Sequence, residues 1–352
     1  MLGISNRERR FTMKELGAAI VGCGSIFPLH AKALSELDGV RLRAVVDTDA
    51  ERARLAGEEY ECEALSDYQA LLGNPDIQVV HLCTPHHLHV PMALSLLKAG
   101  KHVLTEKPIS HTLSEGKELA AAAAMSGKQL GVCFQNRYNE ASLRIKETIL
   151  SGELGKLIGM KAIVTWYRDE AYYKQSPWRG KWATEGGGVL MNQSIHTLDL
   201  LQWFGGDISS VRGSVTTDSL DGVIEVEDTA HARIRFTNGA TALFYATNGY
   251  VDNSPVELEI LFEGGKLIQR SDSLYQVKGA AEDVLCGAAA LTGPPGKSYW
   301  GSSHASLIQD FYACLQKGEA FAIDGREGLK AVKLADDIYR SSGVERSVKL
   351  RT

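Results

Sequence analysis

The chain has 352 residues, 44% hydrophobic and 23% charged, the balance of a globule with material for one large or two ordinary domains. Its 38 Lys and Arg against 43 Asp and Glu give a net charge of −5, which argues against a nucleic-acid or anionic-membrane binder, and no apolar run approaches the ~20 residues of a membrane span. Thirty-five glycines beside nine prolines exclude a disordered linker composition and point to glycines at particular backbone positions.

Residues 1–12 lack the apolar stretch of a signal peptide and are expected to be a mobile extension. From there strand and helix signals alternate: strands at 18–23, 40–46, 77–83, 102–105 and 129–134, helices at 29–37, 49–59, 87–99 and 114–125. Asp49 is a candidate cap and Gly100 a helix stop. This alternation predicts a doubly wound parallel sheet over residues 13–137. After residue 138 the rhythm changes. A helix at 140–150 leads to strands at 158–167, 211–217, 227–236, 240–248 and 256–262, with a helix at 189–204 between the first two. Hairpin signals at Asn238-Gly239 and Gly264-Gly265 imply a large, open and mostly antiparallel sheet in an α/β unit over 138–352. Residues 271–301 read as an irregular loop, and helices at 303–316 and 326–340 close the chain. The six cysteines form no C-x-x-C pair, so a reduced, cytoplasmic protein without a disulfide framework is expected.

Gly22-Cys23-Gly24-Ser25-Ile26-Phe27 lies between the first strand and the first helix. Gly22 permits the tight turn, and Gly24 removes the Cβ that would block a pyrophosphate approaching the helix N-terminus. The third position is Phe27 rather than Gly or Ala, which predicts that this helix starts or packs differently. Asp47 ends the second strand, where a carboxylate accepts ribose hydroxyls and repels a 2′-phosphate; NAD is preferred over NADP, with Arg52 or Arg43 as possible counter-charges. A tight turn and a helix cap are the plain structural alternatives for these residues.

Three further segments follow: Thr84-Pro85-His86-His87-Leu88-His89, then Thr105-Glu106-Lys107-Pro108, then Gly186-Gly187-Gly188 running through Asn192-Gln193-Ser194-Ile195-His196. With the glycine turn, they resemble the Gfo/Idh/MocA family of sugar and polyol oxidoreductases. The resemblance implies a Rossmann domain, a second domain for substrate and oligomer contacts, a nicotinamide cofactor and a secondary alcohol or ketone as substrate. It places Lys107 and His196 on the family's catalytic lysine and histidine. Ser25, Ile26, Thr84, Pro85, His86, His89, Glu106 and Gln135 fall near the cofactor, together with Gly22, Gly24, Asp47 and Lys107. Asn192 takes the first position of the usual Asp-x-x-x-His element, so it can orient but not charge-pair His196.

Asn192 and His196 are four apart and, on one helix, share a face. Asn192, Trp178 and Arg179 are expected to bind substrate, and the resemblance places Arg137 in the cleft with them. Trp178 and Arg179 belong to an aromatic and basic stretch with Tyr167, Lys181 and Trp182, suited either to sugar stacking or to core and surface packing. Asp199 is either polar lining or a structural hydrogen-bonder. The glycine triplet is expected to let backbone approach the reacting ligands. His86, His87 and His89 lack a matching carboxylate set or Cys pair, so no metal is expected. The leading expectation is an NAD-dependent dehydrogenase of a sugar, sugar derivative or cyclitol, assembled as a homodimer or homotetramer. A glycosidase using NAD for transient oxidation and a non-catalytic NAD sensor are the alternatives.

Overall fold

A computed structural model describes residues 15–279, 281–287 and 303–344. The expected extension at 1–12 and the Gly293–Gly296 part of the expected loop lie outside the described residues. The first sheet comprises β1 (Leu16–Val21), β2 (Val40–Val46), β3 (Glu63–Leu65), β4 (Val79–Leu82), β5 (His102–Thr105) and β6 (Leu130–Val132). All are parallel, in the order β3-β2-β1-β4-β5-β6. Helices cover both faces, so the central strands bury both sides and read as unbroken apolar runs. These helices are α1 (Phe27–Ser35), α2 (Ala50–Glu59), α3 (His86–Lys98) and α4 (Leu113–Ser126). The strand order reverses between β1 and β4, and the crevice beyond their C-terminal ends is where such sheets take ligands.

The chain passes through α5 (Glu140–Ser151) to β7 (Leu157–Thr165), then α6 (Glu170–Lys174) and α7 (Ile195–Gly205). The second sheet continues with β8 (Ile208–Thr216), β9 (Thr229–Phe236), β10 (Thr241–Thr247), β11 (Glu257–Phe262), β12 (Gly265–Arg270), β13 (Ser273–Lys278) and β14 (Ala281–Cys286). Its order is β14-β13-β12-β11-β7-β10-β9-β8, antiparallel except where β7 meets β10. Burial alternates along β9 and β10: Ala232, Ile234, Ala242 and Phe244 point inward, while Leu243 and Tyr245 are 58% and 41% exposed. The closing helices α8 (His304–Lys317) and α9 (Gly325–Ser341) return to the first unit, α8 against α1 and α9 against α4, while α9 also lies along β8. No described helix is long and apolar enough to cross a membrane.

Three expectations change. Residues 273–286 form the paired strands β13 and β14 rather than a loop; Gly279 makes their turn at φ +63°, and β14 is charged and exposed, as an edge strand tends to be. Helix α7 begins at Ile195, six residues later than expected, so Asn192 precedes the helix that carries His196. Phe27 starts α1 two residues early and packs edge-on against Tyr60, which accounts for the bulky side chain at the third fingerprint position.

The two units are joined by a buried ion-pair network. Arg137, in the short turn Gln135–Tyr138 after β6, donates to both oxygens of Asp199 on α7 (2.7 and 2.6 Å) and to Glu327 on α9 (3.0 Å). Removing one member of such a set leaves a buried charge uncompensated. Arg137→Met is expected to cost about 3–5 kcal/mol in urea unfolding, well beyond an ordinary surface change.

Candidate active site

The turns after β1, β2, β4, β5 and β6 bring Gly22 and Gly24, Asp47, Thr84, Lys107 and Gln135 to the C-terminal edge of the first sheet. After β1, Gly22 adopts φ +98°, and a Cβ there would sit 2.4 Å from the Cys83 carbonyl oxygen. Gly24 differs: a Cβ on it meets no atom within 4 Å. Protein packing therefore does not demand glycine at 24, and the cradle is left to a ligand. The N-terminus of α1 just beyond, at Ser25 and Ile26, has no side-chain cap. Asp47 directly follows β2 and accepts hydrogen bonds from the Cys23 N–H (2.8 Å) and the Asp49 N–H (2.9 Å). A carboxylate has acceptor capacity beyond two bonds, so ribose hydroxyls can still be taken. Arg52 does fold in, 3.3 Å from Asp47, whereas Arg43 pairs with Glu15 instead. Turn, bare cradle, uncapped helix end and acid together fit a dinucleotide.

The loops after β4 and β5 are tied down by buried histidines. His89 directs its two ring nitrogens at the carbonyls of Thr84 (2.8 Å) and Pro108 (2.7 Å), and His86 directs Nδ1 at the carbonyl of Glu185 (2.8 Å) while its ring packs on Trp178. His89 thus clamps together the loops that carry Thr84 and Lys107, and His86 ties the start of α3 to the Glu185 segment. Glu106 lies 3.0 Å from His30 Nε2 and 3.7 Å from His304 Nε2; His30 meets His81, which reaches the Tyr312 hydroxyl. Burial pushes the Glu106 carboxyl up, but the bonds from His30 and His304 prevail and hold it well below the usual carboxylate range. Ligand atoms of His30, Glu106 and Cys133 lie within 4.8 Å of one another. The His30–Glu106 bond accounts for two of the three, and Cys133 lies against the same carboxylate.

At the centre, Lys107 Nζ donates to the backbone oxygen (3.1 Å) and side-chain Oδ1 (3.3 Å) of Asn192. Asn192 Nδ2 donates in turn to Glu185 Oε1 (2.6 Å). His196 lies with Nε2 3.4 Å from the Gln135 amide nitrogen and its ring edge-on to Phe134. Burial, then the nearby Lys107 charge, push the His196 pKa well below its ordinary value, so the imidazole is neutral. Burial also lowers the Lys107 pKa, against the pull of Glu106 and Glu185.

Some expected site residues lie elsewhere. The Arg137 side chain is 5% exposed and committed to Asp199 and Glu327, so its assignment to the substrate cleft is corrected, and Asp199 is a structural partner. The three glycines are required by protein atoms: Cβ atoms at 186, 187 and 188 would lie 2.1 Å from the His111 oxygen, 2.1 Å from the Tyr339 hydroxyl and 1.9 Å from the Glu227 oxygen. In the aromatic stretch, Trp182 packs on Tyr339, and Tyr167 and Lys181 are exposed. The Arg179 guanidinium lies 4.4 Å from the Tyr172 ring and 5.3 Å from that of Trp178, with Nε buried and unbonded among the described residues. Sequence reasoning missed Glu185, Glu227, His30, His81 and His304. Each is ordinary in its local sequence, and only distant partners single it out.

Comparison with known proteins identifies the family. The GFO/IDH/MocA oxidoreductase family, with an NAD-binding Rossmann fold, matches residues 16–134, and the family's C-terminal domain matches residues 142–268. Levoglucosan dehydrogenase of Pseudarthrobacter phenanthrenivorans is 26% identical, covering 95% of this chain and 97% of that protein. Myo-inositol 2-dehydrogenase of Thermotoga maritima is 25% identical, covering 94% and 97%. The structure of the WlbA dehydrogenase from Bordetella pertussis in complex with NADH and UDP-GlcNAcA superposes with a TM-score of 0.81 at 30% identity, covering 94% and 97%. If the bare cradle at Gly24 is there for a ligand, Gly24→Ala should leave unfolding within about 0.5 kcal/mol of the parent. The same change should weaken NADH binding about tenfold, close to 1.4 kcal/mol, in a fluorescence titration.

Proposed function

The chain belongs to the Gfo/Idh/MocA family and is an NAD(P)-dependent dehydrogenase, and from that premise we propose that it moves hydride between nicotinamide and a secondary alcohol or ketone of a sugar, sugar derivative or cyclitol. The observation that carries this reading is the convergence of Lys107, Asn192 and a neutral His196 at the C-terminal end of the parallel sheet. The cofactor, when bound, supplies the hydride acceptor or donor. His196 is in the form that takes the hydroxyl proton. The Lys107 ammonium lies close enough to depress the His196 pKa, and it stabilises negative charge developing on the same oxygen. Glu106, Gln135, Thr84, Pro85 and the clamps His86 and His89 hold the walls of the cofactor crevice. Trp178 and Arg179 offer an aromatic face and a cation to the substrate.

Asp47 sets NAD ahead of NADP, because the Arg52 guanidinium beside it is already shared between Asp47 and Asp49. The outward face of the second sheet, with Leu243 and Tyr245 exposed, suits a homodimer or homotetramer. The six free cysteines support a reducing, cytoplasmic setting. The test is NADH formation over a panel of inositols, aldoses, anhydrosugars, glycosides and nucleotide sugars. Stoichiometric cofactor binding with no turnover on any of them would turn the reading toward a sensor, and glycoside cleavage without net NADH toward the transient-oxidation chemistry. On the substrate found, His196→Ala is expected to lower turnover by ~10²–10⁴ while NADH affinity stays within about twofold.

A further inference from the structure

Asn192 occupies a position where the usual Asp-x-x-x-His element carries a charge, yet a carboxylate stands directly behind it. Glu185 is fully buried, accepts the Gly180 N–H at 2.5 Å through Oε2 and the Asn192 amide at 2.6 Å through Oε1. The other end of that amide faces Lys107. We propose that Glu185 is a positioning residue of the active site, holding the Lys107 ammonium through Asn192 and supplying the negative charge that Asn192 lacks. This rests on the reading of Lys107 as the group that meets the reacting oxygen.

The chemistry of the amide makes the link directional. An ionised Glu185 only accepts, so it obliges Asn192 to donate toward it and to turn its carbonyl oxygen to Lys107. A protonated Glu185 can donate instead, and the amide can then turn its NH₂ toward the ammonium, which it cannot hold. The groups facing Glu185 are Arg179, Lys107, Tyr173, Glu227 and, on its own carbonyl, His86. Burial pushes the carboxyl up to about 7 against the Gly180 N–H, Asn192 and Arg179, and Glu227 adds to the rise. The switch between the two amide orientations thus falls in the neutral range, with the working form on the alkaline side.

The test reads Lys107 directly. Acetic anhydride labelling of Lys107 in the full-length protein is followed across pH by peptide mass spectrometry. The parent is compared with Glu185→Gln, Asn192→Ala and the double variant Glu185→Gln/Asn192→Asp. Loss of the charge in Glu185→Gln is expected to make Lys107 about tenfold more reactive at neutral pH and to remove the step near pH 7, and loss of the link in Asn192→Ala to raise reactivity with a smaller step. The double variant, with the carboxylate restored at 192, should recover slow labelling. Turnover should fall about tenfold in Glu185→Gln and return in the double variant, with NADH affinity unchanged throughout. A parent-like labelling profile in either single variant overturns the proposal, and the Asn192→Ala result decides it if Glu185→Gln does not fold. Should Lys107→Met prove fully active, the catalytic reading of Lys107 falls, whereas labelling still reports whether Glu185 controls that lysine.

Discussion

Between Lys181 and Ser194 the backbone runs through turns rather than a helix, so its N–H groups need partners that secondary structure does not supply. Bonds within the turns supply most of them, and two buried carboxylates tie down the rest of the path. Glu227 accepts from Gly188 and Leu190 and from the Tyr339 hydroxyl on α9, while Glu185 holds Gly180 and the Asn192 side chain. Close approach of His111, Tyr339 and Glu227 leaves room only for glycine at 186–188. This one path of the chain sets where Asn192 lies against Lys107 and where α7 begins, and hence where His196 points.

Burying those carboxylates costs free energy, and both have raised pKa values for that reason. The cost is offset by hydrogen bonds that fix a backbone far from regular geometry. The same trade recurs across the molecule. Arg137 holds Asp199 and Glu327 where the two sheets and α9 meet, and His30 and His304 hold Glu106 beneath the cofactor crevice. Each network spans elements distant in sequence, so the crevice keeps its shape only while the second unit stays docked on the first. Return of α8 and α9 to the parallel sheet serves that docking.

Local electrostatics then divide the labour. Histidine and lysine are both desolvated and both feel Glu106, but Glu185 adds to the pull on the lysine charge, whereas Lys107 and His304 oppose a charge on the histidine. A neutral imidazole and a cation side by side are what the proposed proton removal and oxyanion stabilisation ask for. The surrounding histidines, though clustered, are occupied in holding loop carbonyls.

Where a signal is local, the amino-acid sequence determined the outcome. Apolar runs placed the parallel strands, Asp49 capped α2 by accepting the Arg52 N–H at 3.1 Å, and Asn238-Gly239 made the β9–β10 hairpin. The glycine turn after β1 and membership of the family could likewise be read without coordinates, because turn chemistry and motif order survive in one dimension. Tertiary structure alone decided the rest. Arg137 sits 62 residues from Asp199 and 190 from Glu327, so no window of sequence tells whether its charge meets substrate or a buried acid. The late start of α7 follows from Glu227, which captures N–H groups almost forty residues upstream. Glu185 looks like any acid before a glycine run until the fold puts Asn192 and Lys107 beside it: the energy of a buried charge depends on neighbours in space, and those neighbours exist only after folding.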